Sequence, residues 1–422
     1  MTTERDDAAS IAWILAWLFL SIFHLYQCVL RTAPAGMMPE MGHALHITST
    51  GFESLFVLYF YGYALFALVV GLALDQFGPR RVIPVGAILL GIGALLFASG
   101  HLTETGIGRV LQGVGGAFAA VGALYLATTR FPADRRAMFV GVSQMFGMAG
   151  ALMGQFVVGP AIDSGLEWKG FWSLMGVVGV AMAVLLFVSI PKRSSLISRD
   201  WSSNAFAALG AVVRNPQSIL CGLIAGLIFL PTLLFDMVWV VRFLQAAGNM
   251  PYDEAVMRSA SVPIGWIIGC PLLGFVSDRI GRRKPVIIGG GAFLFGCLAL
   301  ILFDRFGVYP RYVLGLAAGM ASGAAMIPYT VIKEANRPEH SGTAIGFLLF
   351  INYGLSALLG PVFGVLLKKL SAGTTPTITQ YQITFAPMVY GVGLAVVLAL
   401  FLRETGPARR PLKTRWFKAA EG

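Results

Sequence analysis

Gly71-Leu-Ala-Leu-Asp-Gln-Phe-Gly-Pro-Arg-Arg81 returns further along the chain as Gly274-Phe-Val-Ser-Asp-Arg-Ile-Gly-Arg-Arg-Lys284. Gly, Asp and Gly recur at one constant offset, and a basic cluster closes each copy. A long apolar stretch runs into each copy and another leaves it, so each reads as a short charged turn between two helices. Gly78 offers a permissive backbone where two helix ends meet. Asp75 can cap a neighbouring helix N-terminus or pair with an arginine. Arg109 with Gly113 and Arg311 with Gly315 recur at almost the same offset. Two halves related by duplication are the simplest account.

Outward from these turns the sequence is apolar almost throughout. A helix needs about 20 mainly apolar residues to cross a hydrocarbon core. Twelve stretches qualify, near 11–38, 52–74, 82–100, 106–129, 137–162, 169–190, 217–244, 257–277, 285–303, 309–332, 342–367 and 382–402. Their length and lack of alternation argue for helices rather than a barrel. The chain is 57% hydrophobic and 12% charged, with a mean hydropathy of +0.76. Soluble domains are roughly a quarter charged, and no soluble fold could hide this much apolar side chain. The 51 glycines suit helices packed closely in lipid.

A net charge of +11 could point to nucleic acid, yet the basic residues sit in short breaks between spans and at the C-terminus. Membrane orientation explains that placement, and no nucleic-acid partner is expected. With the N-terminus inside, the inner segments collect most of the Lys and Arg residues, among them Arg80, Arg81, Arg130, Arg135, Arg136, Arg279, Arg282, Arg283, Arg409 and Arg410. Both termini are therefore assigned to the cytoplasm, and the cell (inner) membrane is the expected location. The longest inner break, 191–216, contains an amphipathic piece near Asn204 to Arg214 that could lie on the membrane surface. It divides the chain into a bundle at 1–190 and a second at 217–422, the latter with a basic tail. Cys28, Cys221, Cys270 and Cys297 all fall in apolar runs without metal-ligand spacing, so neither disulfide nor metal is expected. Residues 1–10 precede an apolar run with no clear cleavage site, so the first segment is expected to remain as a span.

The first repeated turn resembles the signature of the major facilitator superfamily, G-x-L-x-D-x-x-G-R-R with variations. Gly71, Asp75, Gly78, Arg80 and Arg81 supply it, with Ala73 at the Leu position and Pro79 delaying the basic pair by one residue. Gly274, Asp278, Gly281, Arg282 and Arg283 supply the second copy, with Val276 at the Leu position. Arg109-Val-Leu-Gln-Gly-Val-Gly-Gly-Ala117 resembles the R-x-x-Q-G-x-G-x-A pattern of the family's fourth helix. Gly147, Gly150, Gly154 and Gly159-Pro160 resemble only part of the glycine-rich antiporter motif, because Asp163 and Ser164 stand near its final glycines. Antiport is not inferred.

The resemblance covers essentially the whole chain. It implies an all-α membrane protein of twelve transmembrane helices in two pseudo-symmetric six-helix bundles, a monomer that moves a small-molecule substrate without a cofactor. It also implies that the two repeated turns, together with Arg109, gate the cytoplasmic side between alternating states. The competing reading of Arg80 and Arg81 makes them simple positive-inside anchors.

Ionisable and polar groups inside spans are costly and usually face a cavity or a partner. In the first span Ser21, His24, Cys28 and Arg31 recur every three or four residues, with Gln27 beside them, as a polar stripe on one face. The stretch Tyr26-Gln-Cys-Val-Leu-Arg31 is similar to the first helix of organic-anion and organophosphate transporters of that superfamily, where a matching arginine binds the substrate's negative charge. Arg31 would then offer a planar fork of donors to a carboxylate. Its alternative is to snorkel to the outer interface, since it lies about 30 Å along a helix from Ile11. Those relatives carry a second arginine in span seven. Here span seven has Pro231 and Asp236, which argues against a doubly charged phosphate.

Thr232, Asp236, Trp239 and Phe243 share a face if span seven is a regular helix. Asp236 is the acid deepest in a central span, and is read as a proton carrier, a partner of Arg31, or the partner of a cationic substrate group. Tyr59, Tyr63, Gln144, Trp266, Tyr329 and Asn352 with Tyr353 could line the cavity, or pack as membrane aromatics and polar residues commonly do. Pro231, Pro263, Pro271, Pro328 and Pro361 offer bends for two rocking halves.

No zinc-protease motif, nucleophile elbow or pair of catalytic carboxylates occurs, and no phosphate-binding loop, so neither an enzyme nor a nucleotide-driven pump is expected. The reading that remains is a gradient-driven or facilitative transporter of a small hydrophilic, carboxylate-bearing solute, possible as a proton symporter. A more diffuse similarity to lysosomal dipeptide transporters adds a dipeptide to the organic anions. Drug efflux and a non-transporting membrane sensor are the alternatives.

Overall fold

The computed structural model describes residues 2–45, 49–192, 201–248, 250–303, 311–372 and 374–407. Arg193, Arg199, Arg409, Arg410 and the rest of the basic tail lie outside the described residues, as does the side chain of Arg311. Twelve helices are long and apolar enough to span a bilayer: α1 Ile11–Ala35, α2 Val57–Phe77, α3 Pro79–Phe97, α4 Leu102–Thr129, α5 Arg136–Ile162, α6 Trp168–Ser189, α7 Pro216–Met237, α8 Glu254–Ile280, α9 Lys284–Phe303, α10 Tyr312–Ala335, α11 Pro338–Ser371 and α12 Ile378–Ala399. The chain is an integral, multi-pass membrane protein.

The helix ends follow local chemistry that hydropathy does not see, and several expected limits move accordingly. α3 starts at Pro79 instead of 82, because proline fits the first turn of a helix, where its missing N–H costs nothing. α7 starts at Pro216 for the same reason, and the Asn215 side chain accepts from the Gln217 amide at 3.0 Å. α12 starts at Ile378, behind a capping box between Thr377 and Gln380. α11 is longer than its apolar stretch, Pro338–Ser371 against 342–367, because the helix continues through polar residues such as Ser341, Lys368 and Lys369 that hydropathy does not count.

α4, α7 and α10 are the most enclosed, with 83%, 78% and 83% of their spans buried, and so form the centre. α6, α9 and α12 are about one-third to two-fifths buried and form the rim. Val177, Val184 and Val188 on α6 are 64%, 62% and 69% exposed, an apolar face that lipid is suited to cover. The halves meet chiefly where α2 packs on α11 and α5 on α8, two contacts that the repeat exchanges. A linking helix at Trp201–Val213 covers most of the amphipathic piece expected at 204–214 and packs beside α2 and α11. Phe206 on it is exposed, while Val212 is buried.

Three central helices are irregular. α1 tightens into a 3₁₀ turn at Ala33–Met37. α7 is π-wound from Pro231 to Trp239, and α10 carries a 3₁₀ turn at Gly323–Met326 just before Pro328. Proline removes one backbone donor and displaces the ladder around it, and such breaks in membrane helices are tolerated where protein or a cavity surrounds them.

Candidate functional site

The polar stripe of α1 ends at a residue that reaches the partner half. Arg31 is 3% exposed, and its Nη1 donates to Tyr353 Oη of α11 at 3.0 Å. Tyr353 stacks on Tyr63 of α2 with ring centroids 3.9 Å apart, and Tyr59, Tyr63 and Cys28 surround the guanidinium. Nε and Nη2 of Arg31 are buried without a hydrogen-bond partner, and no carboxylate among the described residues pairs with it. Tyr353 lies 15 residues from the Pro338 start of α11 and 18 from its Ser371 end, so Arg31 meets α11 close to the midpoint of that helix. Snorkelling needs the charged head to reach an exposed interface, whereas this guanidinium is enclosed between the halves. Trp13 beneath Arg130 and Trp17 against Phe131 and Phe139 hold the near end of α1.

Around Arg31 the remaining stripe is satisfied internally. Tyr59 Oη donates to Gln27 Oε1 at 2.6 Å, and Gln27 Nε2 lies 3.0 Å from His24 Nδ1. Gln144 of α5 lies beside the His24 ring. On the partner half, Asn352 Nδ2 donates to Tyr329 Oη at 3.0 Å, and Trp266 Nε1 to Thr232 Oγ1 at 2.9 Å. Phe229 bridges Trp266 and Tyr353 through edge contacts. Arg31, Gln27, Tyr59, Tyr63, Tyr329, Trp266 and Asn352 thus converge on one polar and aromatic layer between the halves.

Arg109 is placed away from the repeated turns. Its Nη1 donates to Leu30 O at 3.0 Å and its Nη2 to Arg31 O at 2.7 Å, while its guanidinium lies over the Tyr59 ring. These carbonyls end the regular part of α1, where a cation offsets the negative end of the helix dipole. Arg109 therefore supports the backbone of the residue at the centre of the site.

Two other expectations are not met. Asp236 and Arg31 do not pair. Trp239 packs on Phe385 and under Arg242, far from the tyrosines. The shared face of Thr232, Asp236, Trp239 and Phe243 assumed a regular helix, and the π-winding lengthens each turn and swings Trp239 away. Asp236 instead lines a cavity inside its own half.

The repeated turns latch one end of the bundle. Asp75 Oδ1 accepts from Gly342 N at 2.7 Å, and Oδ2 from both Thr343 N and Thr343 Oγ1 at 2.8 Å, so an α2 carboxylate caps α11 of the other half. Asp278 does the converse for α5, accepting from Ala137 N at 3.3 Å and Met138 N at 2.8 Å. Gly71 and Gly274 allow the approach: a methyl group there would run into the carbonyl oxygens of Gly342 and Ala137. Gly78 and Gly281 take φ of 74° and 67°, which side chains resist.

The two latches differ in their charges. Arg283, fully buried, bonds Asp278, Ala133 O and Glu334, and Arg136 reaches Glu334 at 3.9 Å. Burial lowers the proton affinity of the Arg283 guanidinium, but Glu334 and Asp278 outweigh it, so its pKa lies above the ordinary value. Arg80, at the matching position, instead donates to Ile190 O at 2.8 Å and stacks on Phe187. Arg81 and Arg282 are exposed. Sequence reasoning missed Thr343, Glu334 and Glu404, which takes the Arg283 and Lys284 amides at 2.7 and 3.1 Å. Only the spacing of Thr343 behind the α11 start could have flagged one of them.

A family model described as Major Facilitator Superfamily matches residues 20–361 and again 264–418. The chain is 23% identical to a hexuronate transporter of Bacillus subtilis over 371 residues, which covers 82% of this chain and 85% of that one. It is 21% identical to multidrug resistance protein 2 of the same organism over 384 residues, covering 86% and 89%. Among solved structures, a proton:xylose symporter, XylE, superposes with a TM-score of 0.74 at 15% identity, covering 94% of this chain and 97% of that one.

Proposed function

This chain belongs to the Major Facilitator Superfamily and is a transporter, not an enzyme; we propose that it carries a small hydrophilic organic solute bearing one carboxylate, by alternating exposure of the Arg31 site. The observation that supports this is Arg31 itself: a buried cation between the halves, with two donor nitrogens unused and no carboxylate among the described residues paired with it. A buried unpaired charge costs several kcal/mol, and a substrate carboxylate arriving at Nε and Nη2 would supply the missing partner in a bidentate fork. The neighbouring buried cation, Arg109, is already engaged by the Leu30 and Arg31 carbonyls, so the unused donors of Arg31 suit one carboxylate. The hexuronate transporter is a relative whose named substrate has this chemistry.

The dipeptide reading loses its support, since Asp236, the acid meant for the amine, faces a different cavity. Drug efflux fits less well with a layer of tyrosine hydroxyls, Gln27 and Arg31 than with an apolar one. In this reading the latched end is cytoplasmic, the protein acts as a monomer in the cell (inner) membrane, and the gradient of a small cation such as the proton drives uptake through Asp236.

Counterflow into proteoliposomes tests the reading, with a hexuronate, an aryl carboxylate, a dipeptide and a neutral hexose as cargoes. A monocarboxylate should exchange, and Arg31→Gln should abolish that exchange while Arg31→Lys retains part of it. Exchange of a neutral sugar that survives Arg31→Gln would overturn the carboxylate assignment.

A further inference from the structure

Arg31 is not alone in the central layer in carrying a free polar atom. Tyr63 Oη of α2 and Asn352 Oδ1 of α11 are also without a hydrogen-bond partner among the described residues, and both side chains are fully buried. Groups beside them are matched: Tyr59 with Gln27, Trp266 with Thr232, and the Asn352 amide nitrogen with Tyr329. We propose that Tyr63 and Asn352 form a hydroxyl subsite, so that the solute is a hydroxy acid rather than a plain carboxylate. The inference rests on the carboxylate reading of Arg31 and adds a second recognition point to it.

The two groups enter one layer from opposite halves. The Tyr63 ring stacks on Tyr353 with centroids 3.9 Å apart, against the phenol that accepts from Arg31. Its hydroxyl lies next to that of Tyr353 but makes no well-formed hydrogen bond to it. Asn352 precedes Tyr353 on α11 and reaches Tyr329, whose phenol stands in the same group of tyrosines as Tyr63 and Tyr353. A ligand group placed here is therefore shared by both halves, one turn of chemistry away from the Arg31 fork.

The pattern of donors and acceptors selects the ligand group. A phenol offers a proton and lone pairs, and the two ends of a carboxamide offer an acceptor or a pair of donors. Whichever way the Asn352 amide is turned, one end serves Tyr329 and the other stays open. An alcohol, donor and acceptor at once, satisfies Tyr63 together with either end. A methylene in its place leaves both groups orphaned, and a site built to hydrogen-bond a hydroxyl rejects the analogue that lacks it. An ammonium is disfavoured, because Arg31 repels it and the titratable side chains acting on Tyr63 are tyrosines and Cys28, none of which offers a carboxylate.

Cyclohexanecarboxylate and its monohydroxylated derivatives, one for each ring position, are titrated calorimetrically into the purified protein, since the ring fixes the spacing of hydroxyl from carboxylate. At least one hydroxylated derivative should bind about 10–100-fold more tightly than the parent acid, from the buried partners it restores. Tyr63→Phe and Asn352→Ala should each cut that ratio severalfold, and Trp239→Phe, away from the layer, should keep it. The ratio cancels any general loss of affinity in a variant. A wild type that binds the parent and all derivatives alike, with binding lost in Arg31→Gln, overturns the hydroxyl subsite and leaves the carboxylate reading standing. A ratio undiminished in both Tyr63→Phe and Asn352→Ala overturns the subsite as well. Acids that bind Arg31→Gln as well as wild type, or that bind neither, overturn the carboxylate reading and this inference with it.

Discussion

Asp75→Asn tests the trans cap that closes one end of the transporter. The asparagine keeps the shape of the carboxylate but has one acceptor oxygen where Asp75 has two. Whichever way the amide is turned, its NH₂ faces either the Gly342 amide or the two Thr343 donors, which now lie 2.7–2.8 Å from the carboxylate. At least one hydrogen bond is lost, and the others fall from charge-assisted to neutral. Bonds to charged groups are worth about 1.5–3 kcal/mol against about 1 for neutral ones, so the latched state should lose roughly 2–4 kcal/mol. At 1.4 kcal/mol per decade the low end alone shifts the latched-to-open ratio about 30-fold. Spin labels at the exposed positions Arg81 and Arg282, one on each half, read the opening as a distance distribution in detergent or nanodiscs. Asp75→Asn should populate a longer distance, and Thr343→Val, which removes only the hydroxyl bond, should do so more weakly. A distribution unchanged by Asp75→Asn would refute the reasoning, because the α11 cap would then contribute nothing to closure.

Tyr353→Phe removes the phenol that accepts from Arg31 Nη1 but leaves Nε and Nη2, the proposed carboxylate donors, in place. Carboxylate affinity should change by no more than about 5-fold, the worth of one hydrogen bond of about 1 kcal/mol, and loss of binding in calorimetric titration would count against that assignment. Gly274→Ala places a methyl group on the Ala137 carbonyl and should lengthen the same label distance. Arg109→Gln should release the Leu30 and Arg31 carbonyls, lower the unfolding temperature and weaken carboxylate binding without touching the ligand. Arg109→Lys should restore part of both. Unchanged binding in Arg109→Gln would show that Arg31 holds its position without that support.

Hydropathy and repetition are properties of short segments, and the chain alone carried both. The twelve spans, the duplication seen in Asp75 and Asp278, and the polar stripe from Ser21 to Arg31 were all legible, because an apolar run in water, or an ionisable group in lipid, is costly wherever the rest of the chain lies. The enclosure of Arg31 was less legible, since an apolar count does not show that Tyr353 of the other half meets it. Pairings across the halves were not legible at all. That Asp75 caps α11 and Asp278 caps α5 depends on which helix ends the packed bundle brings together, hundreds of residues apart. The separation of Asp236 from Arg31 rests on the π-wound turn after Pro231, which alters the periodicity that face-counting assumes. The residues and their chemical capacities were written in the sequence; which of them meet was decided by how helices pack, where a methyl group at Gly71 or one extra residue in a turn redirects every contact beyond it.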